Sequence, residues 1–448
     1  MDKIFGTDGI RGKAFEDWLT LENVEAFGRA LATSPGTVVI GRDTRESGPA
    51  LEQALVAGLT AQGSNALLLG VLPTPGVAHA VRRHQGSAAV VISASHNPFG
   101  DNGLKVFGPD GYKLNDEQEA LLEKRLLQES QQPSAPKASA GRTDSLACEQ
   151  ATQDYIQFCL DAFNTAQHGP WLKHVPILLD CANGAAFHTS PAALRALGAT
   201  VRVLHAEPNG RNINQDCGCA SPTGLEQFLQ SRHNNEIGLI HDGDADRLFV
   251  CDETGSLLDG DDLLCIAAAD MAQRGVLANN TLVVTVMSNA GVEESLAPYG
   301  ISVERTSVGD RWVIDRMQAA GYNLGGEQSG HLIFGSHSTT GDGLMAALAL
   351  LEIRQRQCKP LSELRKVLQK YPQAQTAVRV REKIPLDRIP QLQETIREAE
   401  SVLAGKGRIL CRYSGTETKL RLLVEGKSSG IVEELLERLK TVAIKTLG

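Results

Sequence analysis

The sequence predicts an α/β protein: three related α/β domains in series, followed by a smaller α+β domain at the C-terminus. Two observations carry this prediction. Over most of the chain, short β-rich runs alternate with longer helical patterns, as in α/β units. After Tyr371 and Pro372 the regular alternation stops. The length of 448 residues also suits several domains.

The first domain, which we place at residues 1–148, shows the alternation most clearly. Its predicted elements are a strand at Thr37–Ile40, a helix at Leu51–Gln62, a strand at Ala66–Leu69, a helix at Pro73–His84 and a buried strand at Ala88–Ile92. A run rich in Gln, Pro, Ser and Ala follows at Gln131–Gly141 and indicates an exposed connection.

A short signature then recurs and marks the later domains. A leucine lies four residues before a glycine, and a strand candidate follows the glycine. The three copies are Leu59 and Gly63 before Asn65–Leu69, Leu194 and Gly198 before Thr200–Leu204, and Leu296 and Gly300 before Ser302–Arg305. A helix that ends on a left-handed glycine and turns into a strand has this pattern. We therefore expect comparable domains at residues 149–243, beginning with a helix at Gln150–Phe163, and at residues 244–367.

The last domain, at residues 368–448, is predicted from a different order of elements. An alternating strand at Thr376–Val380 precedes a helix at Gln391–Leu403, two strands at Gly407–Cys411 and Leu420–Glu425, and a final amphipathic helix. This is the pattern of a small α+β unit.

Composition excludes several functions. With 44 basic and 53 acidic residues the net charge is −9, which argues against a nucleic-acid or anionic-membrane surface as the main partner. No apolar run approaches the roughly 18 residues of a membrane helix, and the N-terminus has no signal-peptide pattern. The nine cysteines are scattered, which favours free thiols in a reducing compartment. We expect a cytoplasmic protein with no membrane or nucleic-acid partner.

The strongest chemical signal is an acidic loop after the apolar run Ile237–Ile240. Asp242, Asp244 and Asp246 alternate along it, so their oxygens can meet at one centre and bind Mg²⁺ or Ca²⁺. A solvated acidic turn is the plain alternative. An EF-hand is rejected because Arg247 stands where that loop needs glycine. A phosphatase with Asp242 as its nucleophile stays open.

A second signal follows the strand Ala88–Ile92. Ser95 lies at the carboxyl end of that strand, where α/β folds place ligands, and His96 beside it can tune its hydroxyl. The alternative is that Ser95 only caps a turn. Lys105 follows, either solvated or as a cation and proton donor beside a transferring group.

Three further loops carry polar residues in tight turns. In Gly325–His331, Glu327 and Ser329 can bind sugar hydroxyls or an amine, and His331 can exchange protons or be structural. A candidate phosphate cradle is formed by the run Arg412, Tyr413, Ser414, Gly415, Thr416 and Glu417, with Arg421 beyond it. The opening Gly6–Gly12 can add Arg11 to an anionic centre. No nucleotide-binding glycine motif is present.

In this order, the motifs resemble those of the α-D-phosphohexomutase superfamily across essentially the whole chain. The opening Phe5–Gly12 and the loop Gly326–His331 favour its bacterial branch that acts on glucosamine phosphates. Relatives that act on glucose or mannose phosphates usually carry methionine where Gln328 stands, and they are the alternative. The resemblance implies four domains around a central cleft and an intramolecular phosphotransferase of the isomerase class.

The resemblance also implies roles for single residues and small molecules. It assigns Ser95 as the phosphoryl carrier; Ser95, Asp242, Asp244 and Asp246 as ligands of one Mg²⁺; Lys105 and His331 for proton transfer; Arg11 and Arg247 at the phosphoryl centre; Glu327 and Ser329 to the sugar hydroxyls; and Arg412, Ser414, Gly415, Thr416 and Arg421 to the distal phosphate. Phosphoserine at Ser95 would convert glucosamine 6-phosphate into glucosamine 1-phosphate through a 1,6-bisphosphate, which also acts as activator, and so feed UDP-N-acetylglucosamine and cell-wall synthesis.

One departure from the resemblance concerns the phosphate loop, and one property is left open. The family usually has proline where Tyr413 and Thr418 stand, so the loop loses two rigid φ angles and we expect weaker substrate binding. The sequence leaves the oligomeric state open, with a homodimer as one option. A non-catalytic sugar-phosphate-binding protein is a further alternative, disfavoured by the joint presence of Ser95, Lys105, His331 and three aspartates.

Overall fold

The computed structural model describes residues 4–6, 8–33, 35–131, 135, 137, 139–146, 148–163, 169–414 and 418–448. They divide into two compact units. The first comprises Met1–Met287 and Ile301–Lys366, and the second comprises Ser288–Gly300 and Val367–Gly448. Three mixed sheets belong to the first unit, and a three-stranded antiparallel sheet belongs to the second.

The first sheet has six strands in the order β1-β5-β4-β2-β3-β6. Its elements are β1 (Ile10–Lys13), α1 (Leu21–Leu31), β2 (Thr37–Arg42), α2 (Gly48–Ala61), β3 (Asn65–Val71), α3 (Thr74–Arg83), β4 (Ala88–Ile92), β5 (Asp101–Phe107), α4 (Asp116–Gln131) and β6 (Thr143–Ser145). Strand β4, with the sequence AAVVI, is buried at every position, as a central strand covered on both faces requires. The predicted connection at Gln131–Gly141 lies partly outside the described residues.

The second sheet has five strands in the order β11-β10-β9-β7-β8. Its elements are α5 (Cys148–Ala162), β7 (Pro176–Asp180), α6 (Thr189–Ala196), β8 (Thr200–Leu204), α7 (Pro222–Ser231), β9 (Ile237–His241), β10 (Leu248–Cys251) and β11 (Leu257–Leu258). Strands β9 and β10 form an antiparallel hairpin with His241 opposite Leu248. The predicted boundary between residues 243 and 244 falls inside this hairpin, because the acidic loop joins two strands of one sheet; the sheet continues to Leu258.

The third sheet has four strands in the order β13-β12-β14-β15. Its elements, with the short helix α9 that belongs to the second unit, are α8 (Gly260–Gln273), β12 (Thr281–Thr285), α9 (Gly291–Leu296), β13 (Ser302–Thr306), α10 (Asp310–Ala320), β14 (Leu324–Gly326), β15 (Leu332–Phe334), α11 (Gly343–Gln357) and α12 (Leu361–Leu364). Helix α8 begins with a capping box between Asp259 and Asp262, which satisfies two backbone N–H groups at its start.

The three sheets share one arrangement, which confirms the prediction of three related α/β domains. Each sheet contains three strands that are parallel to one another. When they are counted in chain order, the first lies between the third and the second. A fourth strand pairs antiparallel with the third. The sets are β5-β4-β2-β3, β10-β9-β7-β8 and β15-β14-β12-β13. The predicted glycines mark the same joint in every copy: Gly63, Gly198 and Gly300 have φ values of 76°, 90° and 67°, just before the second strand of each set.

The second unit contains the predicted α+β domain. Its sheet has the order β16-β18-β17, and two helices pack on it around one apolar cluster. The elements are β16 (Gln373–Arg379), α13 (Pro390–Leu403), β17 (Gly407–Tyr413), β18 (Lys419–Gly426) and α14 (Ser429–Leu447). Over the described residues of the whole chain, every helix is too short or too polar to cross a bilayer.

Candidate active site

The chemical motifs of the first unit occupy equivalent positions in the three sheets. Ser95 lies in the loop between β4 and β5, the acidic loop joins β9 to β10, and the turn that carries Glu327 and His331 joins β14 to β15. Each is therefore the loop after the third parallel strand. Because the three domains repeat one topology, the equivalent loop of each domain supplies a different part of the site.

The three predicted carboxylates form a buried cluster. Asp242, Asp244 and Asp246 are at most 3% exposed, and one oxygen of each lies within 4.8 Å of the others. In the part of the chain that the structure describes, Oδ1 of each aspartate accepts no hydrogen bond. Burial, Asp246 and Asp244 together raise the pKa of Asp242 to about 7. Three clustered carboxylates, each with one orphaned hard oxygen, fit a divalent cation such as Mg²⁺.

The EF-hand alternative is excluded by the structure as well. Strands β9 and β10 flank the acidic loop, where an EF-hand would have helices. Glu253, which stands where the last ligand of that loop would be, accepts the backbone N–H groups of Leu361 and Ser362, each at 3.1 Å. It therefore caps α12 and does not belong to the acidic cluster.

Lys105 is buried in the same cluster, on β5. Its Nζ lies 2.8 Å from Asp244 Oδ2, 3.1 Å from Asp8 Oδ2 and 3.3 Å from Asp246 Oδ2. Burial alone would lower the pKa of Lys105, but the attraction of Asp244, Asp8 and Asp246 raises it well above its ordinary value. The side chain is therefore a buried cation in the resting site, and the solvated alternative is wrong.

Ser95 points its hydroxyl at the acidic cluster. Its Oγ donates to Asp242 Oδ2 at 2.7 Å, and its backbone N–H donates to Ser93 Oγ at 2.9 Å. The residue is 1% exposed and has a φ of 51°, a strained region for a non-glycine residue. Gly243 allows this approach, since a Cβ there would lie 2.6 Å from the carbonyl oxygen of Ser95. A residue that only capped a turn would not explain these contacts.

A buried arginine that the sequence analysis did not identify holds the Ser95 loop in place. The guanidinium of Arg45 donates to the carbonyl oxygens of Ser95 at 3.0 Å, Asn97 at 2.9 Å and Asp101 at 2.9 Å, and also to that of Pro98. It is paired with Asp43 at 2.8 Å. We call Asp43 and Arg45 the loop clamp.

A second support of the loop comes from the neighbouring domain. Asn214 Nδ2 donates to the carbonyl oxygens of Ser95 at 2.8 Å and of Asn97 at 3.1 Å. A contact in the opposite direction supports the acidic loop. The hydroxyl of Thr74 donates to the Asp244 side chain, and its N–H donates to the carbonyl of Asp244 at 3.0 Å. Such partners, distant in sequence, leave no local pattern to find.

The opposite side of Ser95 is positively charged and reaches solvent. Arg247 Nε lies 3.9 Å from Asp242 Oδ2, and Arg11 is paired with Asp8; their side chains are 21% and 25% exposed. Burial, with repulsion from Arg247 and Arg11, lowers the pKa of His96 to about 4. The His96 ring is therefore neutral, and its Nδ1 lies 3.3 Å from Ser95 Oγ. The two guanidinium groups are more exposed than the three carboxylates, so they are the charges that an anion can contact from solvent.

His331 joins the third domain to the acidic cluster. Its Nδ1 lies 3.7 Å from Asp246 Oδ2 and its Nε2 lies 3.4 Å from Asp310 Oδ2. Burial lowers the pKa of His331, but Asp246 and Asp310 outweigh it and raise the pKa above its ordinary value. Lys113, another residue that the sequence analysis missed, bridges Asp310 and Asp8.

The predicted sugar-binding residues lie in the same turn as His331. Glu327 Oε1 accepts the N–H of Gly309 at 3.1 Å, and burial raises the pKa of Glu327. The turn contacts the β9–β10 hairpin, because the N–H of Leu248 donates to the carbonyl of Gly330 at 2.9 Å. Ser329 is half-buried on this turn. The structure thus brings Ser95, Lys105, Arg11, Arg247, His331 and the three aspartates together, with Glu327 and Ser329 beside them.

The remaining predicted residues belong to the second unit. Arg412 lies directly opposite Arg421 in the β17–β18 pair, and burial and Arg421 lower the pKa of Arg412. Two guanidinium groups in register on neighbouring strands can bind one anion together. The loop they flank also contains Ser414, which is described, and Gly415 and Thr416, which lie outside the described residues.

Tyr413 and Thr418, which stand where the family usually has proline, lie at the start and the end of that loop. Tyr413 donates its hydroxyl to the carbonyl of Ile384 at 2.6 Å and packs on the apolar cluster of the domain. The carbonyl of Thr418 accepts the N–H of Val380 at 3.1 Å. Tertiary contacts therefore fix both ends where proline would have fixed φ.

Family comparisons agree with this architecture. Four models of the phosphoglucomutase/phosphomannomutase family match: alpha/beta/alpha domain I at residues 2–133, domain II at 153–255, domain III at 259–371, and the C-terminal domain at 376–442. Two solved structures share the fold. A phosphoglucomutase/phosphomannomutase family protein from Burkholderia thailandensis has a TM-score of 0.79 and 23% identity, covering 99% of this chain and 97% of its own. The N-acetylphosphoglucosamine mutase of Aspergillus fumigatus, solved with GlcNAc-6P and magnesium, has a TM-score of 0.68 and 17% identity, covering 99% and 96%.

Sequence relatives are much closer and name one branch. The phosphoglucosamine mutase of Pelobacter propionicus is 45% identical over 436 residues, which cover 96% of this chain and 95% of that protein. The phosphoglucosamine mutase of Myxococcus xanthus is 45% identical over 434 residues, covering 95% and 93%. The resemblance identified in the sequence is thereby confirmed, and the chain belongs to the phosphoglucosamine mutase family of the α-D-phosphohexomutases.

Proposed function

We propose that this enzyme interconverts glucosamine 6-phosphate and glucosamine 1-phosphate, with Ser95 as the carrier of the phosphoryl group. The observation that carries the proposal is the contact of a buried, strained serine hydroxyl with Asp242, at the edge of a carboxylate cluster with three orphaned oxygens. Family membership supports the substrate class. The plain alternative, a serine that caps a turn, gives no reason for the cluster.

The proposed reaction has two phosphoryl transfers. First, the bond from phosphorus to Ser95 Oγ breaks and a bond forms from phosphorus to the C1 hydroxyl oxygen of glucosamine 6-phosphate, whose proton passes to a side chain. The resulting 1,6-bisphosphate then reorients in the site. In the second transfer the bond from phosphorus to the C6 oxygen breaks and a bond forms from phosphorus to Ser95 Oγ. The serine proton passes to Lys105, the C6 oxygen takes the proton that the C1 hydroxyl gave up, and glucosamine 1-phosphate is left. Such transfers need positioning and charge neutralisation more than covalent assistance.

A phosphoryl group on Ser95 would add roughly two negative charges beside three carboxylates, so cations are required. We assign Mg²⁺ to Asp242, Asp244, Asp246 and the phosphoserine, because the orphaned oxygens are the hard donors that it prefers. When bound there, Mg²⁺ would supply neutralisation of charge on the phosphoryl oxygens.

Side chains of the chain itself supply the other cations and the proton transfers. We assign Arg11 and Arg247, on the exposed side of Ser95, to the phosphoryl oxygens. Lys105, protonated in the resting site, stabilises the leaving Ser95 Oγ and gives it a proton in the first transfer, and it takes that proton back from the Ser95 hydroxyl in the second. His331, on the turn that holds Glu327 and Ser329, exchanges the proton of the sugar hydroxyl, while those two residues bind the sugar.

The distal phosphate is assigned to the second unit. Arg412 and Arg421, held in register on neighbouring strands, with Ser414, Gly415 and Thr416 of the same loop, would bind the phosphate that does not react. Holding that group lets remote binding energy orient the reacting end.

Initial rates with Mg²⁺ and a trace of glucose 1,6-bisphosphate test the proposal. The substrates are the 6-phosphates of glucosamine, glucose and mannose, and free phosphate is measured alongside. The proposal predicts the highest kcat/KM for glucosamine 6-phosphate, no net phosphate release, and no turnover by Ser95→Ala. Faster reaction of glucose or mannose phosphate would keep the chemistry and move the enzyme to the alternative branch. Phosphate release without isomer, retained in Ser95→Ala, would instead support Asp242 as a phosphatase nucleophile.

A further inference from the structure

A second group of metal-binding side chains lies in the second domain, apart from the aspartate cluster. Asp180 ends β7, His205 follows β8, and Cys217 lies on the loop before α7. One donor atom of each lies within 4.8 Å of the others. The group combines oxygen, nitrogen and sulfur, whereas the aspartate cluster offers oxygen alone.

The carboxylate of this group is fixed in orientation before any ligand binds. Asp180 is fully buried, and its Oδ1 accepts the N–H of Ala182 at 2.7 Å while its Oδ2 accepts the N–H of Gly218 at 3.1 Å. Among the described residues its one ion-pair partner is His205, with Nδ1 3.0 Å from Oδ1. Hydrogen bonds of this kind orient the ligands of protein metal sites.

The nitrogen and the sulfur have few polar partners outside the group itself. His205 Nδ1 is buried and lies 3.0 Å from Asp180 Oδ1, and this contact with Asp180 raises the pKa of His205. Cys217 is 1% exposed, and its sulfur accepts a weak contact from Asn183 Nδ2 at 4.0 Å. Burial, Asp180 and Asp216 raise the pKa of Cys217 to about 12, so the sulfur is a protonated thiol until a cation displaces its proton. The His205 side chain is 31% exposed, which gives an ion a path from solvent.

We propose that Asp180, His205 and Cys217 form a metal site of the class that takes Zn²⁺, separate from the Mg²⁺ site. Thiolate and imidazole select Zn²⁺ over Mg²⁺, and three protein ligands leave the fourth tetrahedral position to water. Coordination releases the Cys217 thiol proton to solvent. Tetrahedral bond lengths place neighbouring oxygen, nitrogen and sulfur donors roughly 3.3–3.6 Å apart. Since the donors of this group lie within 4.8 Å of one another, no pair has to approach by more than about 1.5 Å to complete the site.

Cobalt(II) binding to the full-length, reduced protein tests the site, because a cobalt–thiolate bond gives an intense near-ultraviolet band that oxygen ligands do not give. The titration is done in excess Mg²⁺ on a Cys358→Ser background, since that thiol is exposed. We expect the band to saturate at one equivalent and to disappear when one equivalent of Zn²⁺ is added. Cys217→Ser should abolish the band, and the matched variant Cys219→Ser, which changes another buried thiol, should keep it.

A half-exposed ligand provides a variant that does not depend on core packing. His205→Gln should fold normally by circular dichroism and bind Co²⁺ on the order of 100-fold more weakly. The proposal is overturned if the parent protein gives no charge-transfer band, if the band survives Cys217→Ser or is lost in Cys219→Ser, or if His205→Gln binds as tightly as the parent.

Discussion

The loop clamp makes the most specific prediction of the structure, because it separates positioning from chemistry. Arg45 does not reach the acidic cluster; it holds the backbone of the Ser95 loop. Replacing it with methionine keeps a long apolar side chain and removes all the hydrogen bonds of its guanidinium. We expect Arg45→Met to fold with reduced stability and to lose turnover.

The expected stability loss follows from what Arg45→Met leaves behind. Asp43, 1% exposed, keeps the Ser93 hydroxyl at 2.6 Å and one backbone N–H at 3.0 Å, but it loses its cation. Removing one partner of a buried pair costs about 3–5 kcal/mol. Asn214 still satisfies the carbonyls of Ser95 and Asn97, so we expect the lower part of that range.

The expected loss of turnover has a different origin. Without the clamp, Ser95 is free to relax from its strained φ of 51°, and its Oγ moves from Asp242. A displacement of about 1 Å can cost about 10²-fold in rate. We therefore expect kcat to fall about 100-fold while the KM for glucosamine 6-phosphate changes little, since Arg45 does not touch the proposed sugar turn.

Two measurements on three variants separate the effects: urea unfolding followed by circular dichroism, and steady-state kinetics. The double variant Asp43→Asn/Arg45→Met removes the orphaned charge and should recover stability relative to the single variant, but not kcat. Arg83→Met is the matched control: this arginine is 52% exposed, lies 3.1 Å from Asp154 and should cost about 1 kcal/mol or less without changing kcat. A folded Arg45→Met with at least a third of the parent turnover would refute the clamp.

Three other changes test separate parts of the account. Gly243→Ala places a Cβ 2.6 Å from the Ser95 carbonyl and should lower kcat about 100-fold in steady-state assays; an unchanged kcat would count against the proposed approach of Ser95 to Asp242. Chelation by EDTA should stop turnover and lower Tm, and Mg²⁺ at 100 times its Kd should restore about 2.7 kcal/mol; turnover after full chelation would rule out the ion. Burial raises the pKa of Asp342 to about 6, so its stabilising contribution is present below pH 4 and lost as pH rises through 6. Relative to the parent, Asp342→Asn should gain about 2–3 kcal/mol between pH 4 and pH 8 in urea unfolding, and a constant difference would contradict this.

The sequence predicted the repeated fold because the repeat has a local cause. Each domain needs a left-handed glycine between a helix and its second strand, and Gly63, Gly198 and Gly300 all have it. The domain boundary after residue 243 shows the limit of such reasoning. A strongly acidic loop looks like the end of a unit, whereas it is the turn of a hairpin whose pairing appears only in the sheet.

The same distinction explains which site residues were found. Residues in motifs, such as Ser95 and the three aspartates, carry their chemistry in a few consecutive positions. Arg45 acts on carbonyls 50 to 56 positions away, and Asn214 acts on a residue 119 positions away, so no local pattern marks them. Asp8 lay inside a motif and was passed over, because its role is to join Lys105 and Lys113, which only folding brings together.

Every other proposed role depends on Ser95 as the carrier of the phosphoryl group, and a chase of the phosphoenzyme tests this role without relying on steady-state rates. The protein is treated with glucose 1,6-bisphosphate and Mg²⁺, the phosphate is located by peptide mass spectrometry, and glucosamine 6-phosphate is added. We expect one phosphate, on Ser95, that is stable to hydroxylamine and is transferred to the sugar to give the 1,6-bisphosphate. A hydroxylamine-labile phosphate on Asp242, or a Ser95 phosphate that the sugar does not remove, would contradict it.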